Sequence, residues 1–167
     1  MARIALLVGD IARQRADAIV TAANTGLRGG GGVDGAIHAA AGPSLLQECR
    51  ALGGCETGDA KVTSAGRLDA DWVIHAVGPV WQGGEAGEDT LLVRCYTRAL
   101  DLAISCGCAS IAFPAISCGI YGFPVQRAAE GSPLIEEIRL VLYDRPTHRI
   151  FLSALQSSKA QGHGPQR

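Results

Sequence analysis

The stretch GGGGVDGAIHAAAG, residues 29–42, decides how the rest of the chain is read. Four consecutive glycines lose much conformational freedom on folding, and they run straight into a helix-forming DGAIHAAA. A flexible linker would not end on a helix. The arrangement predicts an anion loop whose backbone N–H groups converge at a helix N-terminus around Asp34. Glycine suits that work because the main chain can approach a ligand without a Cβ in the way. Read literally, Gly30 to Gly35 also fits the G-x-G-x-x-G dinucleotide fingerprint. That fingerprint needs its first glycine at a strand end, and here the polar stretch 24–28 intervenes, so a nicotinamide-dependent oxidoreductase is weakly supported.

Outward from the loop, the chain alternates short apolar runs with helical patterns. RIALLV (3–8) and ADAIVTAAN (16–24) read as strands before the loop. After it, Ser44 with Gln47 suggests a capping box for a helix to about Leu52, closed by Gly53-Gly54. DAKVTSAG and WVIHAVG read as two strands, TLLVRCYTRALDLAISCG (90–107) as an amphipathic helix, and SIAFPA (110–115) as a buried strand. Further on, Ser132 and Pro133 suggest a new helix start, RIFLSAL (149–155) a last strand, and 156–167 a disordered tail. Apolar strands alternating with helices imply a sheet covered on both faces, with ligands at the strands' carboxyl edge. A second small-residue loop, ISCGIYGFP (116–124), also follows a strand. The two loops are candidate walls of one site.

Composition narrows the function. The 167 residues are 47% apolar with net charge −1, enough for one domain over residues 1–155 and without a basic block for nucleic acid. Any phosphate would have to be held by local dipoles. The short strand MARIALLVGD is not a signal peptide, and no run is long enough to cross a membrane, so a cytoplasmic protein is expected. The six cysteines form no CxxC pair. Buried reduced thiols are expected rather than disulfides or a metal centre, which agrees with a reducing compartment.

Within the loops, a carboxylate beside phosphates needs a reason. Asp34 either caps the helix or orients a water or a ribose hydroxyl, because a carboxylate at a helix N-terminus is a weak base. Asn24, at a strand end, is either a satisfied turn residue or a reader of sugar hydroxyls, since its amide donates and accepts. His38, one turn beyond Asp34, shares its face and reads as structural. Asp10, just after the first strand, could accept from an exocyclic amino group or stand as a solvated loop acid. Two such loops with few cations point to a diphosphate between two sugar or base moieties.

Together, VGDI, AIVTAAN, GGGGVDGAIHAAAGPSLL, WVIHAVGPVW and SIAFPAISCGIYGFP resemble the macrodomain family, in particular its MacroD-type branch, over residues 3–130. The resemblance implies a three-layer α/β/α sandwich with a central mixed, mostly parallel sheet. It implies ADP-ribose as ligand, with hydrolysis of mono-ADP-ribosyl esters on acidic side chains of proteins and of O-acetyl-ADP-ribose, and no cofactor. On that basis Asp10 reads adenine with Ile11 adding a backbone contact, and Asn24 holds the distal ribose. Gly31, Gly32 and Val33 form the first phosphate-and-ribose loop, and Asp34 is the acid of turnover. Ser117, Cys118, Gly119, Ile120 and Tyr121 form the second loop, with Tyr121 over the distal ribose.

The chain departs from that pattern in five places. Thr21 replaces the first asparagine of NAAN, which alters a hydrogen bond behind the loop. Cys118 replaces the threonine of S-T-G, keeping backbone contacts and losing a hydroxyl. The adenine-facing aromatic of the last strand aligns near Ala154, so stacking is expected to be weak. A broken helix at Gly131 and the absence of a terminal helix complete the differences. A reader that binds ADP-ribose without cleaving it is the alternative to the hydrolase.

Overall fold

The computed structural model describes residues 2–80, 82–116 and 135–161. Its centre is a six-stranded sheet in the order β1-β6-β5-β2-β4-β3. The strands are β1 (Arg3–Val8), β2 (Ala18–Ala22), β3 (Ala60–Ser64), β4 (Trp72–Ala76), β5 (Ser110–Phe113) and β6 (Glu137–Leu142). All neighbouring pairs are parallel except the edge pair β3–β4. Helices α1 (Gly32–Ala41), α2 (Pro43–Leu52), α3 (Glu88–Ser105) and α4 (Arg145–Gln161) flank it.

The pleat divides the core in two. Val20, Ile74, Ile111, Ile138 and Leu140 face α3, packing on Leu92, Tyr96 and Leu100. Their sequence neighbours Ile19, Val73, Ala112 and Val141 face the other way, onto Ile37 of α1 and Leu45 of α2. A strand buried on both faces explains why AIVTA and SIAF carry so little polarity. The result is the expected three-layer α/β/α sandwich.

β2 and β5 lie side by side and parallel, with Ala18 opposite Ile111. Beyond β2 the chain moves toward β4 and β3, whereas beyond β5 it moves toward β6 and β1. The sheet therefore has a topological switch point between them, where α/β proteins open a crevice at the carboxyl edge. Both small-residue loops start there. The second loop, including Ser117, Cys118, Gly119, Ile120 and Tyr121, lies outside the described residues, as does the expected break at Gly131.

Several expectations change. α2 begins at Pro43 behind a Gly42 cap, and no Ser44 capping bond forms. Proline tolerates the first helical turn because its missing N–H would be unpaired there anyway. Gly53 closes the helix with φ 72, as expected. The helix start expected at Ser132 and Pro133 lies outside the described residues, and residues 137–142, where such a helix would run, form the strand β6, whose Ile138, Leu140 and Leu142 alternate onto one face and are fully buried or nearly so. The expected strand at 149–155 lies inside α4, which starts where Asp144 accepts from Thr147 N at 2.8 Å. α4 continues to Gln161, so the supposed tail is helical over 156–161 and a terminal helix is present.

Candidate functional site

Asn24 follows β2 by two residues and braces the turn that leads into the glycine run. Its side-chain Nδ2 donates to Gly29 O at 2.8 Å, and its Oδ1 accepts from Arg28 N at 3.1 Å. The turn-residue role is thus filled, with one amide hydrogen left over for a ligand hydroxyl. Gly29 (φ 75) lies against the ring of His38. Gly30 runs so close to the following helix that a Cβ at Gly35 would stand 2.3 Å from Gly30 O. Packing requires glycine at 35.

Gly31 is different. Its φ of −92° suits any residue, and among the described residues a Cβ built on it meets nothing within 4 Å. Neither strain nor packing against the described residues calls for glycine there, so the bare position faces space that a ligand can fill. Gly31 is also the N-cap of α1 and supplies no side-chain cap. The first N–H groups of the helix, through Gly32 and Val33, are therefore open to an anion.

Asp34 sits in the first turn of α1 and is not the N-cap, so the capping role falls away. Its carboxylate turns inward and is 5% exposed. Thr21 Oγ1, from the centre of the sheet, donates to Asp34 Oδ1 at 2.8 Å. His38 Nε2 stands 3.6 Å from the same oxygen, the shared face that the i, i+4 spacing implied. Among the described residues Oδ2 has no hydrogen-bond partner, leaving one carboxylate oxygen for a water or hydroxyl.

Behind this pair lie His38, Cys49 and His75, whose ligand-type atoms fall within 4.8 Å of one another. They are the described residues that could hold a metal ion, but their geometry is that of packed side chains. Cys49 Sγ is 3.8 Å from one ring nitrogen of His75 and 3.7 Å from the other. A sulfur equidistant from both lies along the lone pair of neither. Thr63 Oγ1 already engages His75 Nε2 at 2.9 Å. Burial pushes His75 down to about 4 and the Cys49 thiol up to about 11, so both are neutral.

At the far end of the edge, Asp10 caps the 3-10 turn Ile11–Arg13, with Oδ1 accepting from Ala12 N at 2.9 Å. Its Oδ2 is 3.7 Å from Arg13 Nε. Ile11 is buried against α1. Gly9 N donates to Leu142 O at 2.9 Å, which brings Tyr143, directly after β6, beside Asp10. Tyr143 is 84% exposed. An aromatic at the end of β6 is what the sequence reading missed. Ala154 lies in α4 instead, and the alternation of EIRLVL would have revealed the strand.

The Macro domain family pattern matches residues 20–131. A Macro domain-containing protein of Methanosarcina mazei is 52% identical over 92% of this chain and 88% of its own length. Another, from Chlorobaculum tepidum, is 63% identical over 72% of this chain and 70% of its own. Among solved structures, the Oceanobacillus iheyensis macrodomain with ADP superposes with a TM-score of 0.83 at 34% identity, covering 93% of this chain and 91% of that one. The Trypanosoma brucei macrodomain in complex with ADP-ribose gives 0.79 at 36% identity, covering 91% and 68%. The chain therefore belongs to the macro domain family.

Proposed function

We propose that the chain binds ADP-ribose and hydrolyses its ester conjugates, both mono-ADP-ribosyl esters of acidic protein side chains and O-acetyl-ADP-ribose, as a MacroD-type enzyme of the cytoplasm. Asp34 carries the reading: a buried carboxylate in the first helical turn after the glycine run is gripped at one oxygen by Thr21, and its other oxygen has no hydrogen-bond partner among the described residues. A module built only to bind a diphosphate has no use for a negative charge there. The solved relatives with ADP and ADP-ribose support the ligand, and the free state of the described cysteines fits a reducing compartment.

In this reading the diphosphate takes the N–H groups around Gly31, Gly32 and Val33. Asp10 accepts from the adenine amino group beside the Ile11 backbone, and Tyr143 covers the ring. Asn24 holds the distal ribose. Asp34 Oδ2 orients a water whose oxygen adds to the ester carbonyl carbon. The bond from that carbon to the sugar oxygen breaks, and a proton from the water ends on the sugar oxygen. Acid and ADP-ribose leave. Positioning supplies most of the acceleration, because a carboxylate is a weak general base.

The test is release of ADP-ribose from a glutamate-linked mono-ADP-ribosylated protein, and of acetate from O-acetyl-ADP-ribose. Asp34→Ala is expected to remove most turnover and to leave ADP-ribose binding within about tenfold. Tight binding without release by the native chain would make it a reader instead.

A further inference from the structure

We propose that a groove beside the Asn24 turn, walled by Arg28 and Arg50, receives the acidic flank of a modified polypeptide, so that the chain prefers conjugates whose neighbouring residues are Asp or Glu. This rests on the ligand reading above and names its macromolecular partner. The turn and α2 enclose a depression of about 540 Å³ lined by Thr25, Gly26, Arg28, Leu46, Arg50 and Gly53 among others. It shares Thr25, Gly26 and Arg28 with a hollow of about 370 Å³ whose remaining wall is Asn24. The groove is thus continuous with the residue assigned to the distal ribose, the sugar that bears the ester. A polypeptide attached there leaves by the nearest opening.

Charge selects the occupant. Among the described residues no acidic side chain lines either hollow, although the whole chain carries net charge −1. Arg3, Arg98 and Arg139 are ion-paired to acids, whereas Arg28 and Arg50 have no ion pair among the described residues. Arg28 also folds back over Gly26, where a Cβ would stand 2.8 Å from its Nε, which holds its charge along the wall. Past Gly53 and Gly54 the balance shifts toward acid, because the next depression carries Glu56 and Asp59 beside a single cation, Lys61. The positive face is therefore short and bounded. A nucleotide polymer would want an extended cationic track with aromatic platforms for its bases, and among the described residues this groove has two arginines and no aromatic. Two or three carboxylates flanking the modified residue match it.

The experiment measures binding of the native chain to hydrolysis-resistant ADP-ribosyl peptides with acidic, neutral or lysine-rich flanks, beside free ADP-ribose. Acidic flanks are expected to bind about threefold to tenfold tighter than neutral ones, with lysine flanks weakest, and the difference shrinks at high salt. R28E/R50E abolishes the preference and leaves free ADP-ribose affinity unchanged; both side chains are exposed, so the fold is retained. Equal binding of all flanks alongside normal ADP-ribose binding overturns the groove alone. So does a gain confined to an ADP-ribosylated oligonucleotide. Failure of free ADP-ribose to bind overturns the site reading, and the groove with it.

Discussion

Thr21 Oγ1 donates to Asp34 Oδ1 at 2.8 Å, and both side chains are buried. The bond ties the middle of β2 to the first turn of α1, fixing which carboxylate oxygen faces inward. Removing the hydroxyl with Thr21→Val keeps the shape and leaves Oδ1 without its donor. A hydrogen bond to a charged group contributes about 1.5–3 kcal/mol, so turnover should fall by about tenfold or more through kcat, with KM and ADP-ribose affinity little changed. Thr21→Ser should restore most of it. A Val variant with unaltered kcat would show that Thr21 does not position the acid.

Gly31 and Gly35 look alike in sequence and should respond oppositely. A Cβ at Gly31 meets no atom of the described residues within 4 Å, whereas one at Gly35 meets Gly30 O at 2.3 Å. Gly31→Val is expected to leave the thermal midpoint unchanged and to weaken ADP-ribose binding at least tenfold by filling ligand space. Gly35→Ala is expected to lower stability by about 1–3 kcal/mol through forced backbone displacement. Calorimetry and thermal melts of the two variants check both halves.

How much of this was legible in residues alone follows from where the information sits. The glycine run, the two loops after neighbouring strands and the i, i+4 pairing of Asp34 with His38 depend on local spacing, and the structure brings those first-loop residues together. The described part of the last third was misread because the short run RIFLSAL gave a strong local cue that tertiary context overrode. EIRLVL has a period of two, and a strand between β1 and β5 buries it on both sides. RIFLSAL follows Asp144, whose cap makes it helix. The Thr21–Asp34 bond spans 13 residues between a strand and a helix, and the Arg28–Arg50 groove joins a turn to α2, so neither strand nor helix periodicity reveals them.

His75 gives a pH dependence. Its ring is fully buried between Thr63 and Cys49, and burial holds it at about 4, below the usual 6.5. Between those values the unfolded chain binds a proton that the folded chain refuses, so stability rises with pH. The contribution is complete above pH 6.5 and is lost as pH falls toward 4, about 3 kcal/mol in all. Denaturant unfolding at pH 7 and pH 4.5 should show this loss in the native chain and a smaller one in His75→Asn. Equal slopes for both proteins would remove His75 as the cause.

Tyr143 is the last test, because it separates binding from folding. The side chain is 84% exposed at the end of β6, beside the Asp10 turn that Gly9 N ties to Leu142 O. An aromatic this exposed contributes little to the core, so its service to the fold is small. Stacking of a base on an aromatic is worth about 1–3 kcal/mol, which predicts a fivefold to hundredfold loss of ADP-ribose affinity in Tyr143→Ala with an unchanged melting midpoint. Tyr143→Phe keeps the ring and should bind as the native chain does. Free ADP and ADP-ribose should lose affinity in parallel, since both carry the adenine, whereas ribose 5-phosphate should not notice the change. An alanine variant that binds ADP-ribose normally would move the adenine elsewhere on the edge.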